Sequence, residues 1–397
     1  MKKVLVLGGG FAGVEAAIFL RKEGMEVTLV SDRDFVFIYP ISIWIPTGTL
    51  PFDDAKMPLA DLGKAHGFEV VVDRIIGFDP VERTATGQNG TYRGDALVLA
   101  FGAAKLKPEG AQHTLSTCGA PHDSLTFRDR LDALVADAKE ARAAGSDERF
   151  SIAFGFGGNP KDKSAVRGGP MFELLFNIRH MLKREGLLDR FDLTFFAPMP
   201  KPGMKMGDKA LATLDAWFER MNIPKRVGVK IRSFSERAVH FADGSTLEAD
   251  LLLYIPANQG HPAVAAAGLP TNDAGFVTID KHCRVEGFEG VYAAGDIAAL
   301  EGPAWKAKQG HVAEVMGRTV AHNIGVAARG KGELHSYVEH LNILCVMDTG
   351  DGAAFVYRDE NRQMLVPMPV VGHWMKQSWG TYWKWSKLGK IPRLPGM

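Results

Sequence analysis

The chain has 397 residues, 46% of them apolar and 23% charged, which is ordinary for a globular protein and enough for two or three domains. A net charge of +1 gives no overall reason to expect a nucleic-acid partner. Its three cysteines, Cys118, Cys283 and Cys345, form no CxxC pair, which argues against a disulfide framework and against a zinc site, so no metal is expected and a reducing compartment fits.

Residues 3–7 (KVLVL) read as a buried parallel strand. "GGGFAGVEAAIFLRKEG" follows as a glycine-rich turn opening an amphipathic helix, and "MEVTLVS" is the next strand, so the chain begins with a βαβ unit. The glycines end the first apolar run short of signal-peptide length, and no uninterrupted run approaches the ~18 residues of a spanning helix. Neither a cleaved signal nor a spanning helix is expected. "FEVVVDRIIGFDP" and "DALVLAFGAA" extend the sheet, with a small antiparallel insertion. A long polar helix pattern then leads to a second start, "RFSIAFGFGG", with a helix in "MFELLFNIRHMLKREG" and a strand in "FDLTFFAP". Residues 284–325 return as a strand and helix to the first sheet, which makes the second unit an insertion in the first.

Gly8, Gly10 and Gly13 form GxGxxG between strand and helix. This pattern allows a tight turn, lets the backbone approach a pyrophosphate, and points a helix N-terminus at it. A ribose-binding residue is expected at Ser31 or Asp32, at the end of the second strand. "VYAAGDIA", with Gly295 and Asp296, resembles the second FAD signature of flavoproteins with two dinucleotide-binding domains, and "LVLAFGAA", with Gly102, resembles their ATG strand. The resemblance implies FAD, with Asp296 on the ribitol. Lys308, near the start of the last helix of this unit, is a candidate to stabilise negative charge on the flavin pyrimidine. The second glycine turn is different. "NPKDKSAVRGGP" separates "AFGFGG" from any helix, so no helix N-terminus follows for a nicotinamide nucleotide, and the second domain reads as a relic that shapes another pocket.

Nearly the whole chain resembles the sulfide:quinone oxidoreductases and the related flavocytochrome c sulfide dehydrogenases. The resemblance is carried by "VTLVSDRDFVFIYPISIWIPTG", by "AWKAKQGHVAEVMGRTVAHNI", by the Cys-x3-His element "STCGAPH" that holds Cys118 and His122, and by the hairpin "LCVMDTGDGAAF" that holds Cys345. It implies a thiol at Cys345 against the flavin, sulfide or a persulfide as donor, and electrons passing through FAD to a membrane quinone. Against that, Cys345 could be a small apolar filler, and Cys283 matches nothing and reads as structural. One departure is plain. The family's other redox cysteine falls on Arg167, six residues before Glu173. Arg167 is therefore expected to lower the pKa of Cys345 or to hold an anionic substrate such as a persulfide. A family histidine after "DLTFFAP" is also missing, with Met204 or Lys205 in its region.

After Glu360 there is no acidic residue, while Arg362, Lys376, Lys384, Lys387, Lys390 and Arg393 are basic and four of the seven tryptophans follow. On a helical wheel of ~100° per residue Lys376, Lys384, Lys387 and Gln377 share one arc and the aromatic residues the other. That is the pattern of an interfacial helix with lysines toward anionic lipid. Trp374, Phe355 and Pro369 are candidates to line a quinone path. The expected architecture is α/β: two Rossmann-like dinucleotide-binding domains, the second inserted in the first, plus a C-terminal membrane-associating region. Residues 1–110 and 276–330 would form the FAD domain, 111–275 the degenerate second domain, and 331–397 the hairpin and tail. The protein is expected to be monotopic, on the cytoplasmic side, with a homo-oligomer possible. Two alternatives stay open: a type-II NADH dehydrogenase-like quinone reductase, and a flavin-containing sulfur-carrier or electron-transfer subunit without independent turnover.

Overall fold

The computed structural model describes residues 2–393. Five parallel strands form the first sheet, in the order Val291–Ala293, Ala96–Leu99, Lys3–Leu7, Glu26–Ser31, Glu69–Val72. Val4, Leu5, Val6 and Leu7 are all buried, because helices or loops cover both faces of a parallel sheet and an unbroken apolar run fits such a strand. The helix Phe11–Lys22 packs along the helix Gly310–Arg329, so the last helix of the unit lies against the first. Between Glu69–Val72 and Ala96–Leu99 a three-stranded meander, Ile75–Asp79, Thr84–Gly87 and Thr91–Arg93, is the small insertion.

A second parallel sheet, in the order Lys225–Val227, Phe191–Ala197, Phe150–Phe156, Leu251–Ile255, packs stacked and edge-on phenylalanines around Phe172, Phe195 and Phe218, which continue the core of the first sheet. The antiparallel pair Ala104–Leu106 with Ala257–Gln259 ties the two halves together beside the strand ends. Ile343–Asp348, Gly352–Arg358 and Gln363–Pro369 form an antiparallel sheet, and the helix Val371–Lys387 packs on it.

That helix is turned opposite to the expectation from its wheel. Lys376 and Lys387 are buried, Trp383 is buried, and Lys384 Nζ donates to the Asp54 carbonyl at 2.6 Å. The lysines face inward because buried carboxylates wait for them: Glu173 for Lys376, and Glu15 and Glu314 for Lys387. Its outward surface is apolar instead, with Val371 69% and Trp374 68% exposed, together with Met375 and Trp385. Among the described residues no helix is long and apolar enough to cross a membrane.

Candidate active site

Two positions of the first glycine turn tolerate no side chain. Gly8 has φ +113°, and a Cβ there would lie 2.5 Å from the Ala100 carbonyl oxygen; a Cβ on Gly13 would lie 1.9 Å from the Gly8 oxygen. Gly10 differs, since a Cβ there would meet nothing within 4 Å. That open space stands at the N-terminus of Phe11–Lys22, where no side chain caps the helix and the first N–H groups need an acceptor. A pyrophosphate fits this cradle. Ser31 lies beside it, its Oγ where a Cβ on Gly9 would come within 2.6 Å, whereas Asp32 points outward to Arg33 at 3.4 Å. Gly102 and Gly295 take positive φ at the ends of their strands, and Gly295 leads into the turn that carries Asp296. Gly10→Ala is therefore expected to lower FAD retention with little change in melting, because its methyl group enters the cradle. Gly13→Ala is expected to lower both. Flavin content and melting temperature of the two variants check this.

Asp296 is the hub of the next layer. Its carboxylate accepts from Arg167 Nη2 at 2.5 Å and from Asn258 Nδ2 at 3.1 Å, and Lys105 Nζ donates to Asn258 Oδ1 at 2.8 Å. Burial works to raise the Asp296 carboxyl, but Arg167, Lys308 and Lys105 outweigh it and hold it below the usual carboxylate range. Lys308 is buried, with its ammonium 4.0 Å from the Phe276 ring centroid and donating to the Ala298 carbonyl. Burial brings it down to about 8, with Asp296 and Asp162 opposing the shift. Cys118 is buried, its backbone N–H donating to Ser116 Oγ at 3.1 Å. His122 is exposed, its ring 5.0 Å from Phe52, so it does not share the enclosure of Cys118.

Cys345 belongs to a different wall. The register pairs it with Val356, so it faces the same side as Val356, and Phe355 faces the other, with Ala353, against which Gly372 of the last helix is packed. Burial and the Glu173 carboxylate push the Cys345 thiol up to about 12, Lys376 opposing. This corrects the expectation that Arg167 lowers it: Arg167 is engaged with Asp296, and the charged groups that act on Cys345 are Glu173 and Lys376. Glu173 itself is raised by burial, in spite of its ion pair with Lys376. From there a hydrogen-bonded path leads outward. Glu173 Oε1 accepts the Asp348 N–H at 2.8 Å, and Asp348 Oδ2 bonds Trp44 Nε1 at 3.0 Å and His373 Nδ1 at 2.8 Å. His373 Nε2 then meets Gln377 at 3.0 Å, near the surface. In the sequence Lys376 falls on the basic arc expected to face lipid, and nothing local to Glu173 or Asp348 signals their buried partners. Trp374 is on the outer surface, away from this interior path. Cys283 is fully buried with its sulfur 4.0 Å from the Met316 carbonyl oxygen, in keeping with a structural part.

The second glycine turn does not open a helix. Asn159 donates to the Asn258 carbonyl at 2.9 Å, Asp162 accepts from Asn272 at 3.2 Å, and Ser164 O accepts the Lys308 N–H at 3.2 Å. The chain is thus tied to Asn258, Asn272 and Lys308 before the helix Gly169–Arg184 begins. A Cβ on Gly157 would lie 2.3 Å from the Tyr254 hydroxyl, so this turn is also filled.

The chain is 26% identical to the sulfide-quinone reductase of Aquifex aeolicus (strain VF5), over 97% of this chain and 91% of that one. It is 22% identical to the type II NADH:quinone oxidoreductase of Staphylococcus epidermidis, over 90% of each chain. The X-ray structure of the Aquifex aeolicus sulfide:quinone oxidoreductase superposes with a TM-score of 0.85 at 24% identity, covering 98% of this chain and 92% of that one. The pattern of the pyridine nucleotide-disulphide oxidoreductases matches residues 2–142 and 188–323, leaving out the stretch that holds the altered second glycine turn, Arg167 and Glu173. With the cradle and Asp296 fitting FAD, the chain belongs to the pyridine nucleotide-disulphide oxidoreductase family and is an FAD-dependent oxidoreductase.

Proposed function

We propose that the protein is a sulfur-donor:quinone oxidoreductase, passing electrons from sulfide or a related sulfur species to a membrane quinone. The observation that carries the reading is the half-buried Cys345 on a hairpin strand whose Asp348 N–H is held by Glu173 of the buried Glu173–Lys376 pair. Bound FAD, held by the glycine cradle, Ser31 and Asp296, supplies the two-electron relay between sulfur and quinone. A thiol pushed up to about 12 is neutral at working pH, so its proton must leave as the sulfur reacts. Glu173, raised by burial, is the adjacent carboxylate suited to take it. Lys376 holds Glu173 in place and balances its charge. A nicotinamide nucleotide would meet no helix N-terminus directly behind the second glycine turn, where residues 159–164 are bonded instead to Asn258, Asn272 and Lys308.

The outer face supports a monotopic attachment. Val370, Val371, Trp374 and Met375 project from the start of the last helix, beside exposed Met364 and Val366 of the neighbouring strand. Such a patch fits the headgroup boundary of a bilayer, where the quinone is dissolved. The test uses the holoenzyme with quinone-loaded vesicles. Sulfide is expected to bleach the flavin within seconds and to reduce quinone, NADH to do neither, and Trp374→Asp to slow quinone reduction while leaving flavin bleaching by sulfide unchanged. Rapid bleaching by NADH, with none by any sulfur donor, would overturn the reading in favour of an NADH:quinone reductase.

A further inference from the structure

Lys205, in the region where the family histidine is missing, ties three separate parts of the chain together. It lies in the turn Met204–Met206, between Gly203 at φ +98° and Gly207 at φ +101°, two left-handed positions that glycine takes without strain. Its Nζ donates to the Lys163 carbonyl, behind the second glycine turn, and to the Lys306 carbonyl at 2.9 Å, two residues before Lys308. The hairpin holds the turn from the other side. Arg358 Nη1 donates to the Lys205 carbonyl at 2.9 Å, its guanidinium lies 5.5 Å from the Trp305 ring centroid, and a Cβ on Gly207 would come within 2.6 Å of Gln363 Oε1. The strand register puts these contacts beside Cys345. Cys345 pairs with Val356, and Ile343, Arg358 and Gln363 form the next row on the same face, so Arg358 is the diagonal neighbour of Cys345, about 7–8 Å away.

We propose that residues 198–207 are a strap which Lys205 and Arg358 latch across the Cys345 face, and that this latch sets the size of sulfur donor admitted: hydrosulfide passes with the strap closed, whereas a donor as large as an organic persulfide does not. This rests on the reading that sulfur reacts at Cys345, and adds what selects the donor. The strap touches every border of the gap it closes, namely the second glycine turn, the loop before Lys308 and the hairpin. Its hold is polar. Among the described residues backbone carbonyls, not carboxylates, meet both cations, and at the tip Met204 is 57% exposed rather than packed. A segment fastened by charged hydrogen bonds at its middle and bounded by a left-handed glycine on each side can swing as a unit once those bonds are lost. Cys345 itself is half-buried, which leaves its sulfur within reach of a small solute.

The experiment compares two reagents of one chemistry and different size, iodoacetamide and 5-iodoacetamidofluorescein, on FAD-loaded protein at about pH 7, below the value of about 8 to which burial brings Lys205. Rates are read from the mass of the Cys345 peptide, each normalised to the denatured protein. In the wild type the large reagent is expected to lag the small one by at least ~100-fold, because it waits for local opening. In Lys205→Met and in Arg358→Gln that lag shrinks at least ~10-fold, about the weight of one hydrogen bond from a charged donor, and amide exchange within residues 198–207 quickens with it. Labelling by iodoacetamide and reduction of the flavin by sulfide change little. Lys306→Met removes a neighbouring charge but leaves the carbonyl that Lys205 uses, so it keeps the wild-type lag. If one latch variant fails to fold, the other provides the same readout. The proposal is overturned if the large reagent keeps pace in the wild type, if neither latch substitution shortens the lag, if Lys306→Met shortens it equally, or if neither reagent labels Cys345 in any of these proteins. Sulfide-driven quinone reduction is followed in parallel. Normal turnover without size dependence sinks the strap alone; size-dependent labelling without any sulfur-driven turnover sinks the broader reading and leaves a gated cysteine.

Discussion

Cys345→Ser is expected to slow reduction of the bound flavin by sulfide at least ~1000-fold, with FAD content and melting unchanged. Serine is nearly isosteric, so packing against Val356 and its neighbours survives, whereas an alkoxide in place of a thiolate is out of reach at neutral pH. The surroundings of Cys345 sharpen the prediction. Burial and Glu173 push its thiol up to about 12, so the reactive thiolate is scarce and its fraction rises with pH through the whole working range. Alkylation of Cys345 by iodoacetamide should therefore climb about tenfold per pH unit from about pH 7 to 10, without a plateau. Glu173→Gln removes the anion that raises the thiol, so it should speed alkylation while slowing oxidation of sulfide, since the proton acceptor is gone. A parallel fall in both rates would mean that Glu173 merely holds the hairpin in place.

The contrast between these predictions and the sequence reading shows where local patterns carry information. The glycine turn at Gly8 to Gly13 was legible because the chemistry requires small residues at fixed spacing next to a strand and helix, all within a dozen residues. The altered second turn was legible for the same reason, since a proline and several charges stand where a helix should begin. Lys376 and Lys387 were misread because a helical wheel records which residues share a face but not what that face meets. Their partners, Glu173, Glu15 and Glu314, are 203, 372 and 73 positions away. Arg167 was recognised as a substitution, but its engagement with Asp296, 129 residues on, depends on how the inserted domain folds back on the first sheet. Long-range charge pairing of this kind has no periodic signature.

The anchoring of the last helix leads to the second large effect. Lys387→Met is expected to destabilise the protein by roughly 3–5 kcal/mol, the range seen when one partner of a buried ion pair is removed. Lys387 Nζ lies 2.7 Å from Glu15 and 2.9 Å from Glu314, and all three side chains are buried. Burial works to raise Glu15, but Lys387, Arg393 and Arg318 outweigh it and hold it below its ordinary value, whereas burial holds Glu314 above. Glu15, lowered in the folded state, contributes stability that is present above its unfolded pKa and lost as pH falls through its folded value; Glu314, raised even with Lys387 beside it, subtracts stability as pH rises above its unfolded pKa, and subtracts more once Lys387 is removed. The methionine should fill much of the lysine's volume but leave Glu314 with the Trp383 N–H at 2.7 Å as its remaining partner. Adding Glu314→Gln to Lys387→Met should therefore recover about 1 kcal/mol or more, by removing the stranded charge. Because Glu15 is on the helix whose N-terminus faces the pyrophosphate cradle, the single variant should also release FAD faster than wild type. Chemical denaturation and flavin release, followed on the same samples, check both consequences, and an unchanged midpoint in Lys387→Met would show that the last helix is held by its apolar contacts alone.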